Sequence, residues 1–112
     1  MAKPNGTKVR YYLFNEYELH YNEIPPKSEQ DWHHHEKISE SLLVLDGKLI
    51  LQWKEKGNLK QQAIHDGDLI EMENTPHNVV NNGKKTAKVI ILKQVLSGKN
   101  RRALFKKDKI GD

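Results

Sequence analysis

Short runs of alternating apolar and polar residues, each ended by a turn signal, make up most of the chain before Ser97. Such runs, rich in β-branched and aromatic side chains, are typical of β-strands, and no segment before Ser97 keeps a helical period. Turn signals about every eight to twelve residues favour a closed sandwich or barrel. The predicted strands span residues 9–14, 17–24, 30–35, 39–45, 48–53, 60–65, 68–72, 77–81 and 87–96.

Glycine-containing turns separate several of these runs. Asp-Gly and Asn-Gly between apolar runs are strong signals for tight hairpins. We therefore expect hairpins at Asp46-Gly47 and at Asn82-Gly83. Lys56-Gly57-Asn58 predicts a further chain reversal.

The fourth predicted strand is apolar on both faces. Leu42 and Val44 should share a face with Glu40, whereas Leu43 and Leu45 should lie on the other. A strand of this kind needs cover on both sides. We expect a second sheet to cover one side and a second subunit the other, which predicts a homodimer.

Length and composition fit one small domain. The chain has 112 residues, of which 36% are hydrophobic, and no cysteine, so thiolate nucleophiles and cysteine metal ligands are excluded. We expect a barrel over residues 1–96 and a short irregular or helical basic tail over 97–112. No apolar stretch approaches the ~18 residues of a membrane span, and the start of the chain lacks a signal-peptide pattern. These features predict a cytoplasmic protein without membrane contact.

Charge is distributed unevenly along the chain. Residues 1–83 carry nine Lys or Arg against thirteen Asp or Glu, whereas residues 84–112 carry ten against two. A basic tail can bind polyanions, lie solvated, or cross an acidic face of a partner subunit. Its only aromatic residue is Phe105, which offers little for bases to stack on, so we do not expect nucleic-acid binding.

A run of histidines is the main candidate for chemistry. In a strand His33 and His35 point to one face and His34 to the other. With Glu40 and His77 they could converge on one metal ion, since imidazole suits zinc, copper, iron and nickel, and a carboxylate also suits manganese and iron. The alternatives are a histidine-rich surface loop or a purification tag, but tags lie at termini.

The spacing between the histidines and the glutamate makes a structural demand. His35 and Glu40 are five positions apart and would face opposite ways in one straight strand. The chain must therefore bend near Lys37-Ile38-Ser39 for both to reach one ion.

These residues resemble two linked motifs of the cupin superfamily. His33-x-His35, Glu40 and Gly47 match its first motif, over residues 33–47, and residues 67–81 are similar to its second. The resemblance implies an all-β, RmlC-like double-stranded β-helix (jelly-roll) barrel. It also implies one divalent metal ion, Fe, Mn, Ni or Zn, bound by His33, His35, Glu40 and His77.

Some residues depart from the family pattern or have structural interpretations. The segment before the first histidine, Pro25-Pro26-Lys27-Ser28, lacks the usual glycine, and the usual Pro-x-Gly is reduced to Thr75-Pro76, which indicates different loops at the barrel mouth. We expect His34 to face outward and Asn81 to make hydrogen bonds within the barrel. We also expect His20 and His65 to be partly exposed edge residues.

Three functions remain open. The first is a metal-dependent enzyme, an oxygenase or an isomerase, acting on a small oxygenated molecule. The second is a non-catalytic module that binds a sugar or an organic acid, and the third is a structural metal with a tail that docks onto an acidic partner. No catalytic residue is assignable, because Glu71 and Glu73 should face away from Ile70 and Met72. We expect Tyr12, Gln52 and Trp53 to line the cavity of the barrel.

Overall fold

The structure, a computed structural model, describes residues 2–34, 38–72, 75–95 and 110–111. The described residues contain strands and no helix, which confirms the all-β prediction. Consequently none of their elements is a helix able to cross a membrane. The strands are β1 (Lys8–Leu13), β2 (Tyr17–Ile24), β3 (Ser28–Glu29), β4 (His33–His34), β5 (Ile38–Asp46), β6 (Lys48–Glu55), β7 (Asn58–His65), β8 (Leu69–Met72), β9 (His77–Asn81), β10 (Ala87–Val95) and β11 (Ile110–Gly111).

These strands form two antiparallel sheets. One is five-stranded, in the order β1-β2-β10-β5-β8, and the other is six-stranded, in the order β11-β4-β9-β6-β7 with β3 paired to β9. The core lies where the inner faces of the sheets meet. Its members come from both sheets, including Leu42 and Val89 from the first and Leu49 and Val79 from the second.

Strand β5 shows the predicted alternation. Glu40, Leu42 and Val44 are buried, whereas Leu43 is half-buried and Leu45 is exposed. The period of two residues therefore carries Glu40 into the interior on the same face as the core leucine and valine.

The turn at Asp46-Gly47 is not a hairpin, in contrast to the prediction. Strand β5 pairs with β10 and β8, and β6 pairs with β7 and β9, so this turn carries the chain from one sheet to the other. Gly47 has φ of +110°, and a Cβ there would lie 3.0 Å from the Cα of Ala87. The glycine permits both the left-handed backbone and the close approach of β10.

The turn at Asn82-Gly83 also joins different sheets, so the hairpin predicted there is wrong as well. The buried Asn81 side chain organises this corner: its Nδ2 donates to the carbonyls of Ile24 and Lys85, both at 2.9 Å. Its Oδ1 accepts from the Gly83 amide at 3.0 Å. The prediction that Asn81 makes hydrogen bonds within the barrel is confirmed. The reversal at Lys56-Gly57 does form a hairpin, between β6 and β7.

The chain changes sheets between the histidine run and Glu40, because β4 lies in the six-stranded sheet and β5 in the five-stranded sheet. The predicted interruption of the strand is confirmed. His35 itself lies outside the described residues, as do Glu73 and most of the predicted tail 97–112. Within that tail, Ile110–Gly111 form the short strand β11, paired with β4.

Candidate metal centre

Strand register brings the candidate ligands together from both sheets. His33 on β4 pairs with His77 on β9, and His77 also pairs with Trp53 on β6. Glu40 projects from β5 in the opposite sheet. Three strands from two sheets thus direct an imidazole, an imidazole and a carboxylate into one part of the interior.

The distances between these side chains are short. His77 Nε2 lies 2.7 Å and His33 Nε2 lies 3.2 Å from Glu40 Oε1. The ring centroids of His33 and His77 are 4.6 Å apart. One ligand atom from each of the three residues lies within 4.8 Å of the others, so His33, Glu40 and His77 form a group that could hold a metal ion.

Both histidine rings are oriented by backbone carbonyls. His77 Nδ1 lies 2.9 Å from the carbonyl of Thr75, and His33 Nδ1 lies 3.1 Å from the carbonyl of Asp31. A carbonyl only accepts, so each Nδ1 carries a proton, and in the neutral ring the lone pair lies on Nε2, the atom that faces Glu40. This outer support is characteristic of histidines that bind metals.

The centre is buried on one side and accessible on the other. The side chains of Glu40 and His77 are each 4% exposed, whereas that of His33 is 17% exposed. Burial lowers the pKa of His77, but the hydrogen bond and charge of Glu40, aided by the Thr75 carbonyl, outweigh it. The pKa of His77 therefore lies above its usual 6.5.

The donor set fits a divalent transition metal. Two imidazole nitrogens and a carboxylate oxygen suit zinc, iron, nickel and manganese alike. Without an ion, Glu40 forms hydrogen bonds with the two imidazoles, and His77 Nε2 and Glu40 Oε1 can share a proton. Metal binding would displace that proton. The fourth predicted ligand, His35, lies outside the described residues.

A cavity of about 60 Å³ adjoins the centre, and its walls include two residues that the sequence reasoning missed. His20 and Lys93 both line it, together with His33, Glu40 and His77. The prediction that His20 is an edge residue is wrong, because β2 lies between β1 and β10. Strand alternation could have indicated this position, because His20 lies on the same face of β2 as the buried residues Asn22 and Ile24.

His20 is paired inside this cavity. Its Nε2 lies 2.8 Å from Glu18 Oε1, and Glu18 is buried. Burial lowers the pKa of His20 below its usual 6.5, and the charge of Lys93 lowers it further, against the opposing effect of Glu18. His20 is therefore neutral near pH 7, with the proton on Nε2 and a lone pair on Nδ1.

A second, wider cleft of about 460 Å³ reaches the other side of His77. Trp53, Ile70 and Met72 line it, which confirms the predicted role of Trp53 as a cavity liner. Tyr12 and Gln52 line neither cavity, and Tyr12 is exposed.

The remaining expectations have mixed outcomes. His65 is exposed, as expected, and Glu71 is exposed while Met72 is buried. His34 is half-buried, with its backbone paired to β11.

Comparison with protein families identifies one domain. The family described as "Cupin domain" matches residues 20–93, a stretch that contains His33, Glu40 and His77. No curated protein matches the chain.

Solved structures share this architecture. A putative sugar phosphate isomerase from Acidithiobacillus ferrooxidans is 23% identical, with a TM-score of 0.69 over 82% of this chain and 61% of its own. Recombinant oxalate oxidase in complex with glycolate is 16% identical, with a TM-score of 0.69 over 83% of this chain and 53% of its own. A Thermus thermophilus protein is 15% identical, with a TM-score of 0.72 over 85% of this chain and 89% of its own. The chain thus spans little more than half the length of the isomerase and the oxidase, and at these identities the likeness concerns the fold.

Proposed function

This chain belongs to the cupin superfamily, and from that premise we propose that it is a metal-dependent enzyme acting on a small oxygenated molecule, as an oxygenase or an isomerase. The observation that carries the proposal is the convergence of His33, Glu40 and His77 ligand atoms within 4.8 Å. Structures with this fold include a putative sugar phosphate isomerase, which supports the isomerase class, and an oxalate oxidase, which supports redox chemistry more generally.

The proposed ligands are His33, His35, Glu40 and His77. A divalent ion of iron, manganese, nickel or zinc bound there would supply Lewis acidity and, for iron, redox chemistry. The carbonyls of Asp31 and Thr75 hold the two described imidazoles in the tautomer that such an ion requires.

The chain also offers a proton acceptor in the adjoining cavity. His20 Nδ1 can take a proton from a substrate carbon or hydroxyl group, and the buried Glu18 carboxylate stabilises the imidazolium that results. Neutral His20 is ready for this role near pH 7 because its pKa is depressed. This pair favours proton-transfer chemistry, and hence the isomerase class.

Metal content of variants tests the ligand set. We expect His77→Ala and Glu40→Gln to lose bound metal, measured by elemental analysis of natively expressed protein, while His65→Ala, an exposed histidine, keeps it. The adjacent pair His34→Ala and His35→Ala should differ, with only the second losing metal. Unchanged metal in His77→Ala would refute the proposed centre.

Two assays separate the reaction classes. Oxygen consumption by iron-loaded protein with diketones, thiols and phenols identifies an oxygenase. Exchange of solvent deuterium into small hydroxycarbonyl compounds, followed by NMR, identifies an isomerase, and His20→Gln should abolish it at unchanged metal content. Tight ligand binding without either activity would instead identify a non-catalytic sugar or organic-acid binding module.

We also propose that the protein is a homodimer formed through the outer face of the five-stranded sheet. Tyr21, Ile90, Leu43 and Leu69 are successive cross-strand neighbours there and form one apolar row. Leu69 is 70% exposed at the end of this row. A cytoplasmic location and a domain boundary at residue 96 are likewise proposals that rest on the sequence.

A further inference from the structure

Lys93 is a lysine on the inner face of a strand, beside the candidate metal centre. It follows Val89 and Ile91 on the core side of β10, and its side chain is only 15% exposed. Its register neighbours are Glu18 on β2 and Glu40 on β5. Its Nζ lies 3.8 Å from Glu40 Oε2, so the ammonium group reaches the carboxylate that faces both histidines.

The little-exposed charged side chains among the described residues set the charge of the cavity. Lys93 contributes one positive charge, and Glu40 and the buried Glu18 that is bonded to His20 contribute one negative charge each. Lys3 is half-buried and Asp31 is exposed, so solvent screens their opposite charges. Before any proton on His33 or His77 is counted, the metal-free cavity carries one net negative charge.

A divalent ion on the proposed ligands reverses this balance. Its two positive charges leave the cavity with one net positive charge in a poorly solvated space. Uncompensated charge in such a place is costly, so the loaded centre favours a ligand with one negative charge. Lys93 is the side chain that such a ligand would contact most favourably. Its ion-pair partner Glu40 would then also bind the metal ion, which leaves the ammonium group less fully neutralised.

The size of the cavity limits the ligand. At about 60 Å³ it has room for only a few water-sized positions, and the ion would occupy some of them because His33, Glu40 and His77 line the same cavity. A carboxylate with a few further atoms fits this space, whereas a sugar phosphate or a nucleotide would extend beyond it.

We propose that Lys93 forms an anion subsite, which selects small monocarboxylates and orients them by their carboxylate beside the metal centre. The inference rests on the proposed function, because the excess positive charge arises only when an ion is bound. An ammonium group has three N–H donors, so Lys93 can contact a ligand carboxylate while it keeps its ion pair with Glu40.

Acetate and acetamide provide a test on the full chain. The two molecules have nearly the same shape and differ in charge. With manganese-loaded protein, paramagnetic broadening of the methyl proton signal gives an apparent Kd for each probe. We expect the apparent Kd for acetate to be at least about tenfold lower than that for acetamide. Equal broadening by the two probes would overturn the proposal, and this comparison needs no variant.

Variants assign the effect to Lys93. Lys93→Gln should raise the apparent Kd for acetate at least about tenfold, leave that for acetamide unchanged and retain manganese. Lys93→Arg should restore part of the acetate affinity. Lys88→Gln is the matched control, because Lys88 lies on the same strand and faces the other way.

The outcomes separate the two proposals. Normal manganese content with equal acetate affinity in Lys93→Gln and wild type overturns the anion subsite and leaves the metal centre intact. Absence of manganese binding in the wild type overturns the metal centre, and the anion subsite falls with it.

Discussion

His77 is constrained at both ring nitrogens, by the Thr75 carbonyl at Nδ1 and by Glu40 at Nε2. The first contact sets the tautomer and the second provides the negative charge that an imidazolium or a metal ion would neutralise. Proton and metal therefore compete for the same lone pair. This competition gives the metal-free protein a pH dependence of stability whose sign follows from the raised pKa.

We predict that His77 stabilises the metal-free fold at low pH. Its folded-state pKa lies above the unfolded value of 6.5, so at pH values between the two pKa values the folded state binds more protons than the unfolded state. The contribution is complete below pH 6.5 and is lost as pH rises through the folded pKa. Urea unfolding after chelator treatment should show the stability difference between wild type and His77→Gln shrinking as pH rises.

His20 should act in the opposite direction. Its folded-state pKa lies below 6.5, so stability is lost as pH falls from 6.5 through the folded value. The same unfolding series on His20→Gln should therefore show smaller losses at acidic pH than wild type does. Parallel pH profiles for both variants would contradict the two assignments.

The sequence predicted the convergence of His33, Glu40 and His77 better than it predicted the surroundings of these residues. His33, Glu40 and His77 stand in recognisable motifs, and alternation placed Glu40 on the core face. His20 and Lys93 belong to no motif, and each reaches the cavity only because β10 lies between β2 and β5. That pairing joins segments distant in sequence, and local patterns do not encode it.

Strand bounds could be predicted from local sequence, whereas the pairing of strands at the turns depends on long-range contacts. Strand periods placed β2 and β9 with their observed bounds, because alternation is a property of the segment itself. Asp46-Gly47 correctly predicted a chain reversal, but it did not indicate that β5 and β6 pair with other strands in different sheets. A left-handed glycine permits a tight turn equally well within one sheet or between two.

Gly47 and Gly57 allow a matched test of that turn. Both have positive φ, but only at Gly47 would a Cβ meet the backbone of β10, at 3.0 Å from Ala87 Cα, whereas nothing lies within 4 Å at Gly57. We expect Gly57→Ala to cost about 1–2 kcal/mol from backbone strain alone, and Gly47→Ala about 1–3 kcal/mol more from overpacking. Urea denaturation measures both, and equal losses would show that the contact with β10 is unimportant.

At the scale of the whole molecule, the two faces of the five-stranded sheet have different partners. The inner face packs on the six-stranded sheet and carries Glu40 of the candidate metal centre. The outer face has an apolar row, from Tyr21 to Leu69, that no described residue of the chain covers fully. A small domain with few hydrophobic residues gains stability when a second copy covers such a face.

The proposed dimer predicts a specific effect of charge at the end of this row. Light scattering should give twice the chain mass of 13.0 kDa for wild type and a shift towards 13.0 kDa for Leu69→Lys, because the interface would bury an unpaired ammonium group. Leu59→Lys is the control, since Leu59 is 59% exposed on the other sheet and should leave the mass unchanged. Metal content should be retained in both variants, because neither residue lines the centre. A 13.0 kDa mass for wild type, or the same mass for both variants, would refute an interface on this face.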